Sequence, residues 1–153
     1  MAMHMARDHL EKIGLGDTVV VSSRGLTDRY SPWGSPADPR AARALRAACG
    51  LASDGHASRL LRREELESCT ACFYVTDQHI DWIAGAVGDH AVDTTLASKQ
   101  LRKITGPGGD DVPDPFFADD AFYEEVTLQL EGCVVASLDA LLDELHVKKR
   151  IRK

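Results

Sequence analysis

Hydrophobic residues recur at every third or fourth position in several segments of the chain, which is the spacing of amphipathic helices. Residues with capping preferences mark the ends of these segments: Asp38 and Pro39 suit the start of one helix, and Gly50 suits its end. The predicted helices in chain order are Met5–Ile13, Pro39–Cys49, Arg63–Ser68, Gln78–Val87, Ser98–Lys103 and Asp120–Leu145. In the helix Gln78–Val87, Ile80 and Ile83 are predicted to lie on the inner face.

Short apolar runs lie between these helices and predict strands that are buried on both faces. The run at Asp17–Ser23 contains three consecutive valines, Thr70–Val75 is a second run, and Ala91–Leu96 is a weaker third candidate. Strands that alternate with helices predict an α/β fold, in which a parallel sheet is flanked by helices. Such sheets bind ligands at the carboxyl ends of their strands, so we expect a site in the loops that follow them.

The length of 153 residues fits one domain with a sizeable core. We predict a single α/β domain over residues 1–145 and a basic tail over residues 146–153. The tail carries five basic residues and no acid, so the rest of the chain holds 13 basic against 24 acidic residues. The net charge of −6 argues against general nucleic-acid affinity. The tail fits either a solvated terminus or a contact for an acidic partner.

No apolar run approaches the roughly 20 residues that a membrane helix needs, and no signal-peptide core is present, so a cytoplasmic location is the default expectation. Met1–His4 looks like a leader, and we exclude it from the fold prediction. Cys69 and Cys72 have metal or redox spacing, but no second Cys or His pair follows them. We therefore predict a core strand bearing two thiols, and neither a metal nor a cofactor.

The most distinctive stretch is Asp111–Phe117, in which Pro113 and Pro115 stiffen the backbone on both sides of Asp114 and two aromatic residues follow. A carboxyl group on a stiff loop beside apolar rings can serve as a general acid, because partial desolvation raises the pKa of such a group. The alternative is a helix entry, in which Asp119 or Asp120 caps the next helix and the phenylalanines seal its underside. The residues alone leave both interpretations open.

Five motifs in order give the chain a resemblance to the low-molecular-weight protein tyrosine phosphatase family from Met5 to about Leu145. Each motif is weak alone, and the order and spacing carry the resemblance. The motifs are Met5-Ala6-Arg7, Val21-Ser22-Ser23-Arg24-Gly25, Pro36-Ala37-Asp38-Pro39-Arg40, Gly55-His56-Ala57-Ser58-Arg59, and the Asp111–Phe117 stretch followed by Phe122, Glu124 and Glu125.

The resemblance implies a site, and this sequence departs from it. Asp114 matches the family's general acid, and Phe116 and Phe117 replace its paired tyrosines as pocket walls, to which Tyr30 or Trp33 would add another. Family members have a central first strand followed by a Cys-x5-Arg loop that attacks and grips the phosphoryl group. These 153 residues contain no Cys-x5-Arg.

Without the central first strand, the predicted strands at Asp17–Ser23 and Thr70–Val75 lose their shared neighbour, and open edges seek partners. We therefore expect a rearranged sheet, a homodimer or a strand-donating protein partner. The resemblance leaves two functions open. One is a non-catalytic, pseudophosphatase-like binding or regulatory module for a phosphorylated ligand. The other is a truncated or partner-completed phosphotyrosine or phosphomonoester phosphatase with Asp114 as general acid. We expect no membrane contact.

Overall fold

The computed structural model describes residues 1–87 and 101–147. Its elements in chain order are α1 (Ala2–Lys12), α2 (Pro39–Cys49), α3 (Arg63–Ser68), β1 (Cys72–Tyr74), α4 (Gln78–Ala86), β2 (Leu101–Lys103), a 3-10 turn (Pro107–Gly109) and α5 (Asp120–Glu144). Within these ranges, no helix is both long and apolar enough to cross a membrane. The alternation of helices with a parallel sheet confirms the predicted α/β class.

Contacts divide the chain into two units, which we describe separately. The helical unit comprises Met1–Ser22, Ala37–Gly55 and Pro113–Lys153, and the sheet unit comprises Ser23–Pro36 and His56–Val112. One domain over residues 1–145 stays a prediction, as does the basic tail, of which residues 148–153 lie outside the described ranges.

In the helical unit, α1 and α2 pack against the long helix α5. The boundaries of α2 agree with the prediction because the caps are made as expected. The Asp38 carboxylate accepts a hydrogen bond from the Arg40 N–H at 2.8 Å, and Gly50 ends the helix with a left-handed φ of 69°. The side chains in the centre of this unit are Met5, Leu10, Leu45, Val126, Leu130, Val134, Leu138 and Leu142.

Helix α1 begins earlier than predicted. Ala2–His4 belongs to the helix, so its exclusion from the fold prediction was wrong. The Thr127 hydroxyl, which is completely buried, donates to the Tyr123 carbonyl at 2.6 Å and lies 3.2 Å from the Met1 sulfur. The first residue is therefore packed against α5, which sequence periodicity could not indicate.

In the sheet unit, β1 and β2 form a parallel pair with Phe73 opposite Arg102. Helices α3 and α4 cover this pair through a buried cluster of Leu61, Leu66 and Ile83, against which Cys72, Tyr74 and Leu101 pack. β1 lies inside the predicted strand Thr70–Val75, which is confirmed in its centre.

The predicted strand at Asp17–Ser23 is wrong. A turn covers residues 16–18, and the described residues that follow form no strand. Val20 is 94% exposed. A strand requires a hydrogen-bonding neighbour, and within the described ranges none pairs with this segment, although its valines have high β propensity.

Three further predictions concern the second half of the sheet unit. A helix was predicted at Ser98–Lys103, of which only Leu101–Lys103 lies within the described residues. This part of the prediction is wrong, because Leu101–Lys103 pairs with β1 and is therefore strand β2. Ile80 is 38% exposed rather than on the inner face of α4, whereas Ile83 is buried as predicted. The strand predicted at Ala91–Leu96 lies outside the described residues.

Candidate functional site

The segment that carries Asp114 lies in the helical unit, directly before α5. The Asp114 side chain is exposed, so it is not desolvated in the way that the sequence suggested. Its Oδ1 atom accepts a hydrogen bond from the backbone N–H of Phe116 at 3.0 Å, which closes a turn within the segment. The two prolines and this hydrogen bond together restrict where the carboxyl group can stand.

The two phenylalanines that follow have different environments. Their rings meet edge to face, with centroids 4.9 Å apart and planes at 89°. Phe116 is half-buried, whereas Phe117 is 85% exposed. One ring therefore anchors the segment, and the other presents an apolar face to solvent three residues after Asp114.

The segment is also a helix entry, the alternative that the sequence left open. Asp119 is the N-cap of α5, and its Oδ1 atom accepts a hydrogen bond from the Phe122 N–H at 2.9 Å. Because Asp119 supplies the cap, Asp114 is not needed for it. The two interpretations are therefore compatible, since they use different carboxylates.

Arg40 connects this segment to the two long helices, a role that the sequence did not reveal. Its guanidinium lies 5.5 Å from the ring centroid of Phe116 and 5.0 Å from that of Tyr123. It also pairs with Asp38 and donates to the Ala118 carbonyl at 3.4 Å. The hydrogen bond from Arg40 lowers the pKa of Asp38, and burial raises the pKa of Tyr123. Two features of the sequence pointed to Arg40: it follows a helix cap by two positions, and it ends the family-like motif Pro36–Arg40.

Tyr30 and Trp33, the other predicted pocket walls, belong to the sheet unit. Tyr30 lies under the Arg29 guanidinium at 5.8 Å. Trp33 lies so close to Gly25 that a Cβ atom there would be 2.7 Å from the indole ring. The structure thus brings together Asp114, Phe116 and Phe117, while the part of Tyr30 and Trp33 in a pocket stays a prediction.

Arg24 is engaged within the sheet unit. Its Nε donates to Glu65 at 2.8 Å, and its Nη1 donates to the Ser23 carbonyl at 2.8 Å. The Glu65 hydrogen bond raises the pKa of Arg24, and the same hydrogen bond lowers the pKa of Glu65. A guanidinium held in this way does not have its donors directed at a phosphate.

Lys103 forms a second charged group in the sheet unit, at the carboxyl end of β2. Its ammonium lies 2.9 Å from Asp77 and also contacts Asp111. The hydrogen bonds to Asp111 and Asp77 raise the pKa of Lys103. The sequence did not reveal this group, because its pattern predicts a helix at Lys103. The ion pairs join the turn after β1 to the loop that precedes Val112.

Three of the four cysteines have the properties of structural thiols. Burial raises the pKa of Cys49 to about 11 and that of Cys72 to about 11, and it also raises the pKa of Cys69. Thiols with such values are protonated near neutral pH and are poor nucleophiles. In the described part of the chain, no three His, Cys, Asp or Glu side chains are grouped to hold a metal ion.

Comparison with known sequences identifies the family. The family described as low molecular weight phosphotyrosine protein phosphatase matches residues 1–150. The chain belongs to this family. A comparison with curated protein sequences found no match.

Solved structures share the fold. A protein tyrosine phosphatase from Entamoeba histolytica is 15% identical, with a TM-score of 0.76 over 95% of this chain and 89% of that one. A low molecular weight protein tyrosine phosphatase from T. tengcongensis is 20% identical, with a TM-score of 0.71 over 94% of this chain and 88% of that one.

A third solved structure has a higher identity. It is the YwlE arginine phosphatase, solved as a cysteine-to-serine variant with a phosphorylated active-site serine. It is 25% identical, with a TM-score of 0.72 over 99% of this chain and 90% of that one. A YwlE mutant from Bacillus subtilis is a further solved structure that shares the fold.

Proposed function

We propose that this chain is a non-catalytic member of the phosphatase family and acts as a binding or regulatory module. One observation carries the proposal: within these 153 residues, no cysteine is followed by arginine six positions later. The residues at those positions after the four cysteines are Gly55, Val75, Gln78 and Asp139. Fold membership does not supply an activity when the groups that perform it are absent from the chain.

The surrounding chemistry supports the same conclusion. Phosphoryl transfer to a cysteine requires a thiolate nucleophile and a guanidinium that grips the phosphoryl oxygens. The raised pKa values of Cys49, Cys69 and Cys72 keep these thiols protonated. Arg24 and Arg40 are committed to Glu65 and Asp38. Asp114 is then a proton donor without a nucleophile to assist.

The proposed ligand is a phosphorylated molecule with a planar group beside the phosphate. Family membership favours the phosphate, and the exposed Phe117 ring, three residues after Asp114, can stack against the planar group. Phosphotyrosine fits this description, and so does phosphoarginine, which the YwlE relative's name makes a second probe to include. Binding of both compounds should be measured by calorimetry with the Phe117→Ala variant as a control.

Turnover of p-nitrophenyl phosphate tests the proposal directly. We expect no turnover above a heat-treated sample, and no change in Asp114→Asn. Turnover that falls about 100-fold or more in Asp114→Asn would overturn the non-catalytic assignment, because a general acid contributes on that order. Turnover that is indifferent to this substitution would point to a contaminant rather than to this chain.

A specific observation favours a second candidate, a phosphatase whose phosphate-binding loop comes from another polypeptide segment. Exposed and half-buried residues alternate from Thr18 to Ser23, as in a strand, and Val20 is almost fully exposed. Within the described ranges, no backbone hydrogen bond joins Val20, Val21 or Ser22 to other backbone. The Arg7 guanidinium donates twice to the Val21 carbonyl, at 2.9 and 2.6 Å, and holds the segment in place.

This edge suits a strand supplied by a partner. A second copy of the chain is one donor: in an antiparallel pair centred on Val20, Val19 faces Val21 and Thr18 faces Ser22, so no like charges oppose. A foreign strand bearing a Cys-x5-Arg loop is the other donor, and it would make Asp114 a working general acid.

Light scattering over a micromolar concentration series separates these cases. Self-pairing predicts dimers for the unaltered chain and monomers for Val20→Asp, whereas Leu128→Asp, at an exposed position on α5, should leave the dimer intact. A monomer at every concentration would exclude the homodimer. In that case, a synthetic apolar strand ending in Cys-x5-Arg should be added, and turnover that depends on Asp114 would support completion by a donor.

A further inference from the structure

We propose that Arg40 is a positioning residue that sets the location of the Asp114 carboxyl group and the Phe117 ring. The proposal deepens the function proposed above, since it assumes that the Asp114 segment meets the ligand. We define the acid loop as residues 114–118. Arg40 lies on α2, far from this loop in the sequence, yet it contacts the loop directly.

Arg40 first fixes one aromatic ring of the acid loop. Its guanidinium lies between two rings, 5.5 Å from the centroid of Phe116 and 5.0 Å from that of Tyr123. Phe116 belongs to the acid loop, whereas Tyr123 is a buried residue in the first turns of α5. A cation that contacts both ring faces links the loop to a rigid helix.

Hydrogen bonds hold the guanidinium itself in place. Its Nε donates to Asp38 Oδ1 at 3.3 Å, its Nη2 donates to Asp38 Oδ2 at 3.2 Å, and its Nη1 donates to the Ala118 carbonyl at 3.4 Å. Asp38 is in turn fixed as the N-cap of α2. The guanidinium is therefore oriented by Asp38 at the start of α2, and it binds the Ala118 carbonyl at the end of the acid loop.

One hydrogen bond links Phe116 to Asp114, so the position of Phe116 affects that of the Asp114 carboxyl group. The Phe116 N–H donates to Asp114 Oδ1 at 3.0 Å, and the Phe116 ring packs edge to face on Phe117. A displacement of Phe116 would therefore move both groups that the proposed function assigns to the ligand. Arginine suits this role better than lysine because only a planar guanidinium can stack on rings while it donates bidentately.

The matched control lies on the same helix. Arg43 also pairs with a carboxylate in the first turn of α5, Asp120, at 3.0 Å, but both side chains are more than half exposed. Among the described residues, Arg43 makes no hydrogen bond, ion pair or cation–π contact with the acid loop. Comparing Arg40→Gln with Arg43→Gln therefore separates contact with the loop from loss of a basic residue on α2.

Two measurements on the unliganded chain test the proposal. Amide hydrogen exchange of the acid loop should accelerate about tenfold in Arg40→Gln, partly recover in Arg40→Lys, and stay unchanged in Arg43→Gln. By NMR, the Phe116 amide shift should follow the Asp114 carboxyl group during an acid titration, and this response should be lost in Arg40→Gln.

The alternative outcomes are equally clear. If Arg40→Gln leaves the Phe116 titration response unchanged, Arg40 does not position Asp114. If exchange accelerates equally across α2 and α5, Arg40 is a general structural residue and the proposal fails. Neither measurement uses a ligand, so a failure to bind phosphotyrosine would refute the proposed function without affecting this result.

Discussion

Two apolar runs of three residues each adopt different structures in this protein. Cys72–Tyr74 forms strand β1, whereas Val19–Val21 forms no strand. Both runs consist of residues that favour strands. β1 has a parallel neighbour, β2, and a buried cluster beneath it. In the described ranges, the Val19 N–H donates to the Leu15 carbonyl in a turn, the Arg7 guanidinium holds the Val21 carbonyl, and Val20 is exposed.

The comparison teaches that an apolar run becomes a strand only when another segment completes its hydrogen bonds. Backbone N–H and C=O groups must be satisfied, and intrinsic propensity is too weak to compensate for an absent neighbour. The first and third of the predictions that follow test this conclusion, at the cluster beneath β1 and at Val20. The second tests the ion pair between Arg24 and Glu65 in the unit that contains β1, and the order is that of decreasing effect.

The largest effect is expected in the cluster beneath β1. Ile83 is 2% exposed, so Ile83→Ala should lower the free energy of unfolding by about 2–5 kcal/mol through lost burial and a cavity. Ile80→Ala on the same helix is the control, because Ile80 is 38% exposed, and it should cost less than about 1 kcal/mol. Urea denaturation followed by circular dichroism measures both. Equal losses would mean that the cluster does not support β1.

A smaller effect is expected from Glu65, which is ion-paired with Arg24. Glu65→Gln should cost about 1 kcal/mol at pH 7, since the 35% exposure of the Glu65 side chain weakens the pair. The hydrogen bond from Arg24 lowers the pKa of Glu65 below its ordinary 4.5. Its stabilisation is therefore complete above about pH 4.5 and is lost as the pH falls through the lowered pKa.

Denaturation curves between neutral and acid pH test this dependence. The difference between Glu65→Gln and the unaltered chain should shrink as the pH falls below about 4.5. If the difference in the free energy of unfolding instead grew as the pH fell, the ion pair could not be its source. Glu64→Gln, on the same helix, provides the control for loss of a carboxylate.

The smallest effect is expected at Val20. Because its side chain is 94% exposed, Val20→Thr should change the free energy of unfolding by less than about 0.5 kcal/mol at concentrations where the chain is monomeric. The same measurement in a range where dimers form should show a larger cost if this segment pairs with a second copy. A large loss in the monomer would mean that Val20 is buried in solution.

Several helix boundaries could be predicted because local residues determine them. Asp38, Pro39 and Gly50 start and end α2 as expected, and α3 matches its prediction over Arg63–Ser68. Such capping interactions act within a few residues, so a sequence motif is sufficient to identify them. Leu101–Lys103 was not predictable in this way, since pairing with β1, not local preference, makes it a strand.

The candidate site likewise combines residues that the sequence could identify with residues that only folding brings together. Asp114 and its two phenylalanines are adjacent in the chain, so the sequence could identify them together. Arg40 and Tyr123 join them only through folding, because the helices α2 and α5 bring their side chains to one place. A pattern read along the chain has no information on this contact.

The sequence by itself determined the family motifs, the helix caps and the absence of a Cys-x5-Arg from these residues, because all three depend on neighbours in the chain. Only the tertiary structure decided which apolar run became a strand and which arginine holds the acid loop. Both outcomes depend on groups that are distant in sequence: a strand needs a hydrogen-bonding partner, and a guanidinium needs rings and carbonyls that converge on it.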